Sequence, residues 1–148
     1  MNSVVDSTPY VALVDDDAHS AHLLTRMLLA HGSPRIESFG DAAGAMARLS
    51  AALASASPAW PTLIIVDLKA HSNANLDFVA ALTPAVRKHN LPVVVMAQWP
   101  DRDMAVALHD AGAAAVFTRH ADIAAYRREA ANIVSFWARS QRLDAVGM

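Results

Sequence analysis

Three consecutive carboxylates, Asp15, Asp16 and Asp17, follow the apolar run "YVALV" without a spacer. Like charges side by side repel, so something in the fold must offset them. A fourth carboxylate, Asp67, ends another apolar run, "TLIIV", and Lys69 stands two residues beyond it. Two further apolar runs end in Ala97-Gln98-Trp99 and in Arg119-His120. If Asp15, Asp16 and Asp67 converge, they cannot all stay ionised unless a cation joins them. A hard divalent ion such as Mg²⁺ suits such oxygen ligands, usually taking one or two carboxylates and keeping waters. Beside Asp67 it would also offset negative charge arriving on a phosphoryl group.

The positioning of these residues depends on the elements before them. Five short runs recur: "YVALV" (10–14), "RIESF" (35–39), "TLIIV" (62–66), "PVVVMA" (92–97) and "AAVFT" (114–118). The first, third and fourth are almost continuously apolar, the pattern of strands buried on both faces of a parallel sheet. "RIESF" alternates, as an edge strand would. Alanine-rich stretches with helical spacing lie between the runs. The first extends from about Ala18 to His31, with Leu23, Leu24, Met27 and Leu28 on one face and Gly32 as its stop. Asp41 caps the second, and Pro58 and Pro61 end the linker after it. The third begins near Asn75 and contains Pro84, where a kink or a shortening is expected. Asp101 or Asp103 starts the fourth, which "AGA" (111–113) closes, and Asp122 caps a long fifth.

This β-α alternation, repeated five times, predicts an α/β fold, a (βα)5 doubly wound parallel sheet. Functional groups in such sheets collect outside the carboxyl ends of the strands, which is where the residues named above fall.

The 148 residues suit a single domain, 1–148, with a core of about 9–139 and short polar tails. Hydrophobic residues make up 54%, too many for a disordered chain. A formal net charge of -2 with no polybasic run argues against nucleic acid and membrane surfaces. The absence of cysteine excludes disulfides and fits a cytoplasmic location. The N-terminal "MNSVVDSTP" lacks the apolar segment of a signal peptide, and no apolar run is long enough to span a bilayer.

Four segments together resemble the receiver domain of two-component response regulators, over roughly residues 9 to 139. They are "VALVDDDAHSAHLLTRMLLAHG", "LIIVDL", "LPVVVMA" and "HDAGAAAVFTR", in that order. The resemblance implies a flavodoxin-like strand order 2-1-3-4-5, an order that general accounts of the fold illustrate with this same family. It implies that Asp67 accepts a phosphoryl group from a histidine kinase or a phosphotransfer protein, in a Mg²⁺-dependent step of a phosphorelay. Asp15, Asp16, Asp67 and the backbone carbonyl of Lys69 would be the metal ligands, with Asp17 an incidental neighbour. Lys69, Gln98 and Trp99 would flank the site. The chain would then be no enzyme beyond self-phosphorylation and self-dephosphorylation. It would be a stand-alone regulator acting on a downstream protein target, with a homodimer possible through the face of the fourth helix, fifth strand and fifth helix.

Departures from the family pattern fall on the switching residues. Ala97 stands where the family has a Ser or Thr whose hydroxyl bonds the phosphoryl group. Arg119-His120 replaces a Lys followed by a cis proline, so the charge is kept on a planar fork. Val116 takes the aromatic switch position, with Phe117 one residue later and on the other face. His71-Ser72 replaces a Pro-Gly, and Asn75 a later Gly. The expectation is an atypical receiver with an altered response, or a pseudo-receiver that works by binding alone without phosphorylation. Lys69 could pair with Asp67, and Trp99 could cover the site.

An enzyme reading competes. "VDDDAH" also fits the start of haloacid-dehalogenase-like phosphatases, with Asp15 as nucleophile and Asp17 as general acid, although His19 stands where that family usually has Thr or Val. A third reading is an interaction domain with neither metal nor phosphate. His19 and His22 lie one helical turn apart but have no third ligand in view, so a solvated face is expected. Tyr126, Phe136 and Trp137 read as core, with Trp137 a partner patch if the last helix projects.

Overall fold

The computed structural model describes residues 9–55 and 60–146. The expected N-terminal tail and Pro58 lie outside them. Five strands alternate with five helices: β1 (Tyr10–Asp15), α1 (Ala18–Ala30), β2 (Arg35–Gly40), α2 (Ala42–Ala54), β3 (Leu63–Asp67), α3 (Ala74–Arg87), β4 (Val93–Ala97), α4 (Arg102–Ala111), β5 (Ala115–Thr118) and α5 (Ile123–Val146). The strands form one parallel sheet in the order β2-β1-β3-β4-β5, the predicted (βα)5 arrangement.

The sheet is buried on both sides because its strands are apolar at consecutive positions, and a period of two sends neighbours to opposite faces. Tyr10, Ala12 and Val14 of β1, Ile64 and Val66 of β3, and Val93 and Val95 of β4 pack against α2, α3 and α4. Val11, Leu13, Leu63, Ile65, Val94 and Met96 face the other way, against α1 and α5. β2 is an edge strand, as its alternation predicts, with Phe39 its one buried residue and the others half-buried or exposed.

The helix ends follow the expected chemistry. The Asp41 and Asp101 side chains accept from the backbone N–H groups of Gly44 and Met104 at 2.9 and 2.8 Å. Asp122 accepts from Ala125 N–H at 2.8 Å and so opens α5. Pro84 neither stops nor shortens α3, which runs on to Arg87. The turn after α4 needs glycine: Gly112 has φ +127, and a Cβ there would stand 2.1 Å from Thr83 Oγ1. That hydroxyl lies 2.8 Å from the Val79 carbonyl and 2.7 Å from the Ala111 carbonyl, tying α3 to the end of α4. α5 stays packed along its length as far as Trp137, whose indole N–H donates to Thr62 Oγ1 at 2.9 Å. Trp137 therefore belongs to the core side and forms no projecting patch.

Parallel pairing puts Asp15 of β1 directly beside Asp67 of β3 in the register. Ala97 and Thr118 are likewise partners across β4 and β5, so Arg119 leaves the sheet on the same edge. No helix among the described residues is long and apolar enough to cross a membrane.

Candidate functional site

Asp15 and Asp67 are the last residues of two neighbouring central strands, and both are buried, Asp67 completely. A buried carboxylate needs a compensating charge. Two cations of the same chain supply it. Arg119 donates from Nε to Asp67 Oδ1 at 2.8 Å, and its Nη2 reaches the same oxygen. Lys69 Nζ lies 2.7 Å from Asp15 Oδ1 and 3.2 Å from Asp67 Oδ2, and it donates to the Asp67 carbonyl at 3.0 Å. Ser20, in the first turn of α1, places its hydroxyl 3.5 Å from Asp67 Oδ2. Two buried anions thus meet two partly buried cations, and both oxygens of Asp67 face groups of this chain.

Asp15 is less comfortable than Asp67. Its Oδ1 accepts from Lys69 and from the Asp17 backbone N–H at 2.9 Å, but its buried Oδ2 has no partner. Burial raises its pKa above the ordinary carboxylate value, against the opposing pull of the Lys69 hydrogen bond. The Tyr126 hydroxyl is also buried without a partner, and burial together with the Asp67 charge raises its pKa.

The triple aspartate divides into three tasks. Asp15 is one member of the buried pair with Asp67. Asp16 turns to the β3–α3 loop, where its carboxylate accepts from Lys69 N–H at 3.0 and 3.1 Å and from Ala70 N–H at 2.9 Å. Asp17 caps α1, accepting from His19 and Ser20 N–H at 3.0 and 3.2 Å. Its pKa is lowered, first by the Ser20 hydrogen bond. Asp17 is therefore a structural cap rather than a bystander, and its carboxylate is spent on that cap.

The expected gathering of Asp15, Asp16 and Asp67 around one ion is not the arrangement seen. Among the described residues no three His, Cys, Asp or Glu side chains are grouped so as to hold a metal. The reason is geometric: Asp16 is engaged by backbone N–H groups, and the Lys69 ammonium bridges the two remaining carboxylates. An N–O distance of 2.7 Å leaves no room for an ion that needs oxygens at about 2.0–2.1 Å. The residues as placed do not fit Mg²⁺.

Ala97 ends β4 without a side-chain donor, and its carbonyl accepts from Arg119 N–H at 2.8 Å. A cavity of ≈ 440 Å³ lies beside the two cations that hold Asp67, lined by Lys69, Asn75, Ala97, Trp99, Met104 and Arg119 among others. Gln98 also lines it. Trp99 stands on its rim 84% exposed, so it does not cover Asp67. Val116 packs on the α2–α4 side, whereas Phe117 packs on the α1–α5 side, edge-on to Phe136 at 6.2 Å. His120 Nε2 lies 4.0 Å from a Glu129 carboxylate oxygen.

Two supporting roles escaped the sequence reading, although Asn75 itself was named there as a helix start and a Gly replacement. Asn75 accepts from Leu68 N–H at 2.8 Å and donates to the Met96 carbonyl at 3.0 Å, clamping the β3–α3 loop to β4. Its place opening α3 was the available signal. Ser20 is the other: a hydroxyl in the first turn after a capping aspartate points back toward the strand ends.

No protein-family model matches the chain, and no curated protein matches it. Solved structures do match in fold. The phosphorylated cyanobacterial phytochrome response regulator RcpA is 22% identical, with 89% of this chain and 95% of that one covered at a TM-score of 0.74. The Mn²⁺-bound form of response regulator Rcp1 is 20% identical, with 88% and 94% covered and a TM-score of 0.71. A putative pilus assembly-related protein from Burkholderia pseudomallei is 16% identical, with 95% and 96% covered and a TM-score of 0.69. Strand order, helix placement and these likenesses agree: the chain has the fold of response-regulator receiver domains.

Proposed function

We propose that the chain is a pseudo-receiver, a protein-interaction module of two-component signalling in which Asp67 is a structural ion-pair partner. The single observation that carries this is the state of the Asp67 carboxylate. Arg119 holds one oxygen, and Lys69 and Ser20 approach the other. An oxygen must be free to attack an incoming phosphorus, and removing either cation from a buried carboxylate is costly. Ala97 adds to this, because no hydroxyl stands at the end of β4 to bond a transferred phosphoryl group.

Output is a contact with a downstream protein. Among the described residues the large exposed hydrophobic side chains are Leu29, Trp99, Val106 and Ile123. Three of these four lie on the β4–α4 loop, on α4 and at the start of α5, the side expected to bind a target or a second copy.

A second reading keeps Asp67 as an acceptor of a phosphoryl group from a histidine kinase or phosphotransfer protein. It is favoured by the position of Asp67 at a central strand end and by the cavity beside Lys69 and Arg119. Titration of beryllofluoride with Mg²⁺, followed by tryptophan fluorescence and by amide chemical shifts over residues 97 to 137, separates the two. The pseudo-receiver gives no saturable change, and Asp67→Asn behaves like the wild type. A saturable change lost in Asp67→Asn would establish the acceptor.

A further inference from the structure

We infer that the Lys69 ammonium is a built-in counter-ion that takes the place of a divalent cation, so that the pocket is complete without metal. This rests on the same site as the proposed function but makes a separate claim, about the ion rather than about phosphoryl transfer.

The geometry has three parts. Lys69 Nζ contacts both buried carboxylates, at 2.7 Å from Asp15 and 3.2 Å from Asp67. It also donates to the Asp67 carbonyl at 3.0 Å, so three oxygens from two strand ends surround one ammonium. The side chain is held there from its own backbone, since the Lys69 N–H is fixed by Asp16. The ammonium thus donates two hydrogen bonds, to Asp15 Oδ1 and the Asp67 carbonyl, and stands in ion-pair contact with Asp67 Oδ2. Burial then favours this fixed arrangement over an exchangeable ion that keeps several waters.

A second observation shows what Lys69 blocks. Asp15 Oδ2 is buried without a partner, although its residue is only 3% exposed. Removing the ammonium would leave Asp15 and Asp67 side by side with that free oxygen, and Arg119 alone cannot neutralise both. Two facing carboxylates with room for waters are a ligand set that a hard divalent cation accepts. Lys69 thus suppresses a latent metal site, and divalent cations are excluded by competition rather than by a lack of ligands.

The test is Mn²⁺ titration of the full chain by calorimetry, with paramagnetic broadening of amide signals at residues 15–17 and 67–70. The wild type is expected to show no saturable binding at millimolar Mn²⁺. Lys69→Ala is expected to bind a single ion at least about tenfold more tightly, the size expected from one competing charge-assisted hydrogen bond. Lys69→Met, which keeps the apolar stem, should do the same, and adding Asp67→Asn should abolish binding. If either Lys69 variant unfolds in chelator, recovery of its folded spectrum on adding Mn²⁺ supports the inference, and failure to recover overturns it. Site-specific broadening in the wild type, or no gain of binding in a folded Lys69 variant, also overturns it. The two claims fail separately. Metal binding by the wild type without any phosphoryl acceptance removes this inference alone. Metal-free phosphorylation of Asp67 removes only the pseudo-receiver reading.

Discussion

Replacing Arg119 with Met tests how strongly the Asp67 ion pair holds the sheet edge. The Asp67 side chain is fully buried, and the Arg119 side chain is 18% exposed. Met keeps much of the aliphatic volume, so the loss is mainly of the guanidinium. Asp67 Oδ1 then loses both of its N–H donors, while Oδ2 keeps Lys69 at 3.2 Å and Ser20 at 3.5 Å. Breaking a buried pair by removing one partner costs about 3–5 kcal/mol. The surviving Lys69 contact puts the expected loss at the low end, about 3 kcal/mol. With about 2–4 °C per kcal/mol for a chain near this size, Tm should fall by about 6–12 °C. Urea unfolding gives the free energy directly, with an unchanged m-value as the sign that only stability moved. Asp67→Asn in the Arg119→Met background should recover part of the loss, because the uncompensated charge disappears. The double-mutant cycle should return a coupling of about 2 kcal/mol. A coupling below about 0.5 kcal/mol would refute the claim that this pair is a structural element.

Gly112→Ala should lower stability by about 2 kcal/mol or more in the same urea assay, since it combines a positive φ with a Cβ driven into Thr83. Asp41→Ala should cost about 1 kcal/mol by loss of the α2 cap, again read by urea unfolding. The Asp17 carboxyl has a lowered pKa in the folded chain, so its contribution is present above the unfolded value near 3.9 and is lost as pH falls through the folded value. The stability difference between wild type and Asp17→Ala should therefore shrink toward zero below about pH 4. Trp99→Ala should leave stability within about 0.5 kcal/mol while removing a contact from the interaction face, which a target pull-down compared with thermal melting will separate.

The fold was legible because the apolar runs are short, β-branched and evenly interrupted by alanine-rich helices. The strand ends lie within one residue of the ends of the apolar runs. Asp122, Asp41 and Gly32 marked helix ends for local reasons that need no tertiary context. Pro84 was the exception: α3 continues through it, because the apolar face of Phe78, Val79, Leu82 and Val86 is held against the sheet. Packing of that face outweighed the local preference.

The site was legible in its members and less so in its arrangement. Asp15, Asp67, Lys69 and Arg119 were all singled out, and the register brings them together. The grouping of Asp16 with them was expected from convergence at the strand ends and from the resemblance to receiver domains. Successive residues at a strand end point apart, so Asp16 reaches the next loop instead of the pair beside it. Whether a lysine two residues past Asp67 turns inward or outward cannot be read from spacing, since it depends on which loop hydrogen bonds hold its backbone. Asp16 holds the Lys69 N–H from far along the chain, and Asn75 fixes the neighbouring Leu68 N–H and ties it to β4.

The most direct test of the account is a high-resolution crystal structure grown in millimolar MgCl₂. The account predicts the Lys69 ammonium between Asp15 and Asp67, Arg119 on the other Asp67 oxygen, and no ion in the pocket. A Mg²⁺ ion bound by Asp15 and Asp67, with Lys69 turned out to solvent, would contradict it.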